Sequence, residues 1–178
     1  MFIKMKKQDT FTLPLTGLGE GQHQFRFDIQ ADFFKAFENS KLKEGKIQVD
    51  LEMDKKAAHI DLYFKISGEA MVACDRCLDE FGLPLNHEEH LVLKYAEVER
   101  EDFEVVYIRR DRDYFDVSQY VYEFIHLALP MVVTHDLANL DCNPDMLDAL
   151  EANEYEQEDT EENSSNSAWS ALKDIKLD

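Results

Sequence analysis

Nowhere does the chain hold a run approaching the roughly 20 consecutive apolar residues that a spanning helix needs, so a helical membrane protein is excluded. The first ten residues, MFIKMKKQDT, contain no apolar stretch long enough for a signal peptide, and a cytoplasmic protein is the expectation. Cysteine is scarce, with three in 178 residues. An odd number without a secretion signal argues against a disulfide framework and for reduced thiols or metal ligands. Catalytic signatures are missing too. There is no phosphate-cradling Gly-rich loop before a helix, no Gly-x-Ser-x-Gly elbow and no His-Glu-x-x-His pair, and no carboxylate spacing singles out an acid and a base. The sequence therefore predicts a protein that is not an enzyme. Basic residues are outnumbered, 19 against 38 acids, for a net charge of -19, which ordinarily speaks against phosphate binding. That acidity is unevenly spread. Residues 1–60 carry ten basic and nine acidic side chains, whereas residues 141–167 carry ten acids and no base.

What is present centres on Cys74-Asp75-Arg76-Cys77-Leu78. Two thiolates separated by two residues can grip one tetrahedral ion, because the turn between them brings both sulfurs to one side of a tight knuckle. The same spacing also fits a redox pair, or two buried cysteines with no special role.

Around this knuckle the hydrophobic period is mostly two. Phe11 to Leu15 reads as an edge strand, since Pro14 cannot donate to a ladder. Phe25, Phe27 and Ile29 mark a second strand, and Phe33, Phe34 and Phe37 fall at helical spacing within a short helix near 31–38. Ile47 to Met53 and Ile60 to Ile66 alternate on either side of a hairpin at Asp54-Lys55-Lys56. Gly68 then interrupts the pattern, which resumes at Ala70, Val72 and Cys74, and Phe81, Leu83, Leu85 and Leu91 to Leu93 continue it beyond the knuckle. An acidic loop over 97–104, a short strand at Val105–Ile108 and a basic turn follow. Asp116 and Gln119 match a capping box for a helix over about 117–129, whose apolar face includes Val117, Tyr120, Val121, Phe124 and Ala128 and which Pro130 ends. The predicted fold is α+β: an antiparallel β-sheet meander with this main helix packed on one face. Residues 1–142 would form a single domain, 143–167 an acidic and disordered segment, and 168–178 a short apolar and lysine tail.

After the main helix come His135 and Cys142, in an irregular stretch that can fold back onto the knuckle. Cys74, Cys77, His135 and Cys142 would then complete a Cys3His shell suited to zinc. His87 and His90 compete for the fourth place, although positions three apart on a strand point to opposite faces.

Taken in order, Cys74-Asp-Arg-Cys77-Leu78, the helix ending Ile125-His-Leu-Ala-Leu-Pro130, His135-Asp136, Cys142 and the tail Trp169-Ser-Ala-Leu172-Lys173 resemble the YceD family of large ribosomal RNA subunit accumulation proteins. The resemblance covers most of residues 45–142 and the tail. It implies a bacterial or plastid ribosome-biogenesis factor that supports accumulation or processing of large-subunit rRNA and has no catalytic activity.

Two functional classes follow. One is a non-catalytic assembly factor that binds pre-rRNA or a basic ribosomal protein, with Arg76, Arg109, Arg110 and Arg112 as RNA-binding candidates and the lysines from Lys41 to Lys46 beside them. The other is a small thiol-based redox or metal-responsive protein using Cys74 and Cys77, which would need a lowered thiol pKa. The strands around Cys74 lack the strand-to-helix junction of thioredoxin-like sites, which favours the first class.

Overall fold

The computed structural model describes residues 11–38, 40–102 and 104–158. Its centre is a six-stranded sheet in the order β2-β3-β4-β5-β7-β6, built from β2 (Gly21–Ile29), β3 (Gly45–Lys55), β4 (His59–Ala73), β5 (Glu80–Tyr95), β6 (Arg100–Asp102) and β7 (Val105–Ile108). Strands β2 to β5 form the predicted antiparallel meander. The last step departs from it, because the chain loops back after Tyr95 and lays β7 parallel to β5, with β6 antiparallel outside it.

Alternation decides which face is covered. Phe25, Val49, Leu51, Leu62, Phe64, Leu83 and Leu93 all point to one side and are buried there. Each such side chain contributes about 1.5–3 kcal/mol by leaving water. The covering layer comes from β1 (Thr12–Pro14), paired antiparallel with β8 (Tyr114–Asp116), from the short helix α1 (Ala31–Phe34) and from α2 (Ser118–Leu127). Val121, Phe124 and Ile125 form the buried stripe of α2, and the Phe124 ring meets Phe64 edge-on at 5.1 Å. Pro14 lies in the two-stranded sheet, where few ladder donors are needed.

Several expectations are corrected. Gly68 does not interrupt anything: β4 runs unbroken for 15 residues, and its register to both neighbours skips no residue. The chain backbone of Lys46 and Ile47 passes so close that a Cβ on Gly68 would stand 2.2 Å from the Lys46 carbonyl oxygen, and its φ of +145° suits glycine alone. β5 is likewise one strand of 16 residues. α1 is four residues long, shorter than the expected 31–38 helix. The capping box does not form: Asp116 accepts a bond from the Ser118 amide at 2.8 Å, but Gln119 reaches forward to Glu123. Within the 143–167 segment expected to be disordered, Pro144–Glu158 is a helix, α3. Asn143 caps it by accepting from the Asp145 amide at 3.1 Å, Pro144 stands where its missing N–H costs nothing, and Asp145 complements the N-terminal dipole. Residues 159–167 and the Trp169 tail lie outside the described residues. Among the described residues no helix is long and apolar enough to cross a membrane.

Candidate metal centre

The β4–β5 hairpin closes through the knuckle itself. The Cys74 amide donates to the Asp79 carbonyl at 2.9 Å, and the Leu78 amide donates to the Cys74 carbonyl at 2.9 Å. Closing so tight a turn puts Leu78 in the left-handed region, at φ +64°. The amides of Arg76 and Cys77 turn inward; that of Arg76 stands 3.4 Å from Cys74 Sγ.

A second segment arrives from the end of α2. The Asp75 amide donates to the Val133 carbonyl at 2.7 Å, and the Val133 amide returns a bond to Asp75 Oδ2 at 2.7 Å. Beyond this clasp a 3-10 turn, His135–Ala138, buries the His135 ring against Phe81 with centroids 4.4 Å apart. Asn139 at φ +55° ends that turn, and Asn143 Nδ2 donates to Asp79 Oδ2 at 3.0 Å, pinning the far end of the segment. Cys142 is thereby carried back to the knuckle.

The ligand atoms of Cys74, Cys77, His135 and Cys142 all lie within 4.8 Å of one another. Cys74 Sγ is 3.7 Å from Cys142 Sγ, and His135 Nδ1 is 3.4 Å from Cys77 Sγ and 3.7 Å from Cys142 Sγ. In a tetrahedral shell with Zn–S of about 2.3 Å and Zn–N of about 2.0–2.1 Å, two sulfurs stand about 3.8 Å apart and a sulfur and nitrogen about 3.6 Å apart. The spacing therefore fits one ion. Burial pushes the Cys74 thiol up, but amide hydrogen bonds from Cys77, Arg76 and His135, with the His135 ring, bring it down to about 6. Burial and the neighbouring Cys74 and Cys77 sulfurs push the Cys142 thiol up to about 11. Crowded thiols of this kind are what a cation relieves.

The competing histidines are elsewhere. Both sit mid-strand on β5, on opposite faces: His87 Nε2 lies 2.7 Å from Glu89 Oε1, and His90 Nε2 lies 3.1 Å from Asp61 Oδ1. The arginines are not gathered either. Arg76 is exposed at the knuckle, beside the start of β5, whereas Arg109 to Arg112 follow β7, beside its end at Tyr95. At about 3.3 Å per residue, these places are on the order of 50 Å apart along the strand. Arg109 is held by Asp111 at 2.9 and 2.5 Å, Arg112 donates to Glu99 at 3.1 Å, and the Arg110 guanidinium lies 4.6 Å over the Tyr95 ring. The lysines from Lys41 to Lys46 lie at the knuckle's end of the sheet, where Gly45 pairs with Ala70.

Sequence reasoning missed a polar cluster on the open face. Lys56 Nζ at 2.7 Å, His59 Nε2 at 3.1 Å and His90 Nε2 surround the nearly buried Asp61 carboxylate.

Fold and centre together define a class: an α+β protein whose sheet hairpin and post-helix segment bring three cysteines and a histidine together. The profile of the family described as large ribosomal RNA subunit accumulation protein YceD matches residues 62–176, which span Cys74, Cys77, His135 and Cys142, and the chain belongs to that family. No curated protein and no solved structure matches the chain.

Proposed function

We propose that this protein supports accumulation of large-subunit rRNA as a non-catalytic cytoplasmic factor, and that zinc occupies its Cys3His centre. The family match over residues 62–176 carries the reading, because the family's description names that role. Zinc is supported by the donor set: three sulfurs and one imidazole at tetrahedral spacing select a borderline-soft ion over Mg2+ or Ca2+. A redox role for Cys74 and Cys77 has less support, since their side chains are 0 % and 1 % exposed and offer no access to a partner disulfide. The protein acts by binding pre-rRNA or a basic ribosomal protein. The second partner is favoured by the engagement of Arg109 and Arg112 with acids of the same chain, which leaves them less free for phosphate.

Deletion in a bacterial host tests the role. Mature large-subunit rRNA should fall, with subunit profiles depleted in the large subunit; wild-type protein should restore it and Cys77→Ser should not. Unchanged rRNA levels in the deletion strain would refute the reading.

A further inference from the structure

Leu78 is an outlier twice over. A leucine in the left-handed region is strained, and glycine would serve that turn at no steric cost, yet the side chain held there is 68 % exposed. It has company. Met131, Val132, Leu137 and Leu140 are exposed as well, all on the segment clasped to the knuckle by the Asp75–Val133 and Asp79–Asn143 hydrogen bonds. Single exposed apolar side chains are ordinary, but five on two segments hydrogen-bonded to each other are more than that background. Its charge is one-sided. Residues 75–80 and 131–148 hold seven acids, Asp136, Asp141 and Asp145 among them, and Arg76 as the lone base.

We infer that this apolar surface around the Cys3His centre docks a basic amphipathic polypeptide segment, with Leu78 and Val132 as central apolar contacts and the surrounding carboxylates meeting its lysines and arginines. Charge complementarity selects that occupant. On these two segments a polyanion would face seven carboxylates for one guanidinium, with Lys41, Lys43 and Lys46 on the neighbouring β3 side, whereas a Lys/Arg-rich helix with an apolar face satisfies both features of the segments. The inference deepens the proposed role by naming the recognition surface for a basic ribosomal protein. The ion would act by holding both segments in place, since ligands from each meet on it.

The test uses the full-length zinc-loaded protein and a fluorescein-labelled amphipathic Lys/Leu helix, followed by anisotropy. A Lys/Ser peptide of equal charge and a labelled single-stranded RNA serve as contrasts. The Lys/Leu peptide should bind about tenfold or more tighter than either contrast, and Leu78→Gly with Val132→Ser should weaken it about tenfold. Leu78→Gly alone should raise Tm, by relieving the left-handed strain, while weakening binding. A purely structural leucine would move both readouts in the same direction. Equal binding of the Lys/Ser peptide, unchanged binding by the variants, or tighter binding of RNA that the same variants abolish would overturn the inference. Each of these leaves the rRNA reading standing, and normal rRNA in the deletion strain would leave the peptide result standing.

Discussion

Asp61 keeps a charge in a place that is 7 % exposed, and its neighbours explain how. Burial pushes its pKa up, but hydrogen bonds from Lys56 and His90 and the Lys56 charge outweigh that and hold it below the ordinary carboxylate value. A folded-state pKa below the unfolded one stabilises the protein above about pH 3.9, and that contribution disappears as pH falls through the folded value. Asp61→Asn should cost about 1–3 kcal/mol at neutral pH by weakening charge-assisted hydrogen bonds. Urea unfolding of both proteins at neutral and at strongly acidic pH checks this: the gap between them should narrow in acid, and a gap constant with pH would contradict the assignment. The place of His90 in this cluster was not legible in the sequence. Lys56, His59 and Asp61 meet across the β3–β4 turn, and the open-face register of β4 and β5 brings His90 to them. That Cys74, Cys77, His135 and Cys142 come together was legible because the chain has only three thiols and two of them share a tight turn, and strand alternation had already separated His87 from His90.

At the scale of elements, long periodic segments were readable and short or punctuated ones were not. β2 to β5 alternate over nine or more residues each, so their apolar faces were visible directly. β6 and β8 have three residues apiece, too few to show a period. The acidic composition of residues 144–158 hid a helix whose cap and leading proline favour it locally. Gly68 was misread as a breaker because a glycine in a strand can mark either an end or a close approach, and only the neighbouring backbone decides. It decides severely here. Gly68→Ala should destabilise by more than about 2 kcal/mol, since both nearest atoms to the new Cβ are main-chain and neither can swing away. Thermal unfolding tests it; a variant within error of wild type would mean that β3 and β4 can separate without loss.

Across the whole molecule, the Cys3His centre joins the far end of the β4–β5 hairpin to the stretch between α2 and α3, while the hydrophobic core lies beneath the sheet's covered face. Cys74 and Cys77 belong to the same buried cluster as that core, and Val133, Ala138 and Cys142 pack against it. Chelating the zinc proposed to bind there, or replacing Cys77 with Ser, should free residues 131–143 from the knuckle and leave the sheet folded. Amide exchange should then rise in 131–143 and in the 74–79 turn, with little change in Phe64 or Leu91. Global loss of protection would show instead that the core depends on the centre. The most direct test of the central claim is X-ray absorption at the zinc edge, with metal stoichiometry, on full-length protein purified without chelator. One zinc per chain with three sulfurs at about 2.3 Å and one nitrogen at about 2.0–2.1 Å is the predicted result. A protein that folds with three free thiols and no bound metal, or that holds zinc in an oxygen and nitrogen shell, would contradict it.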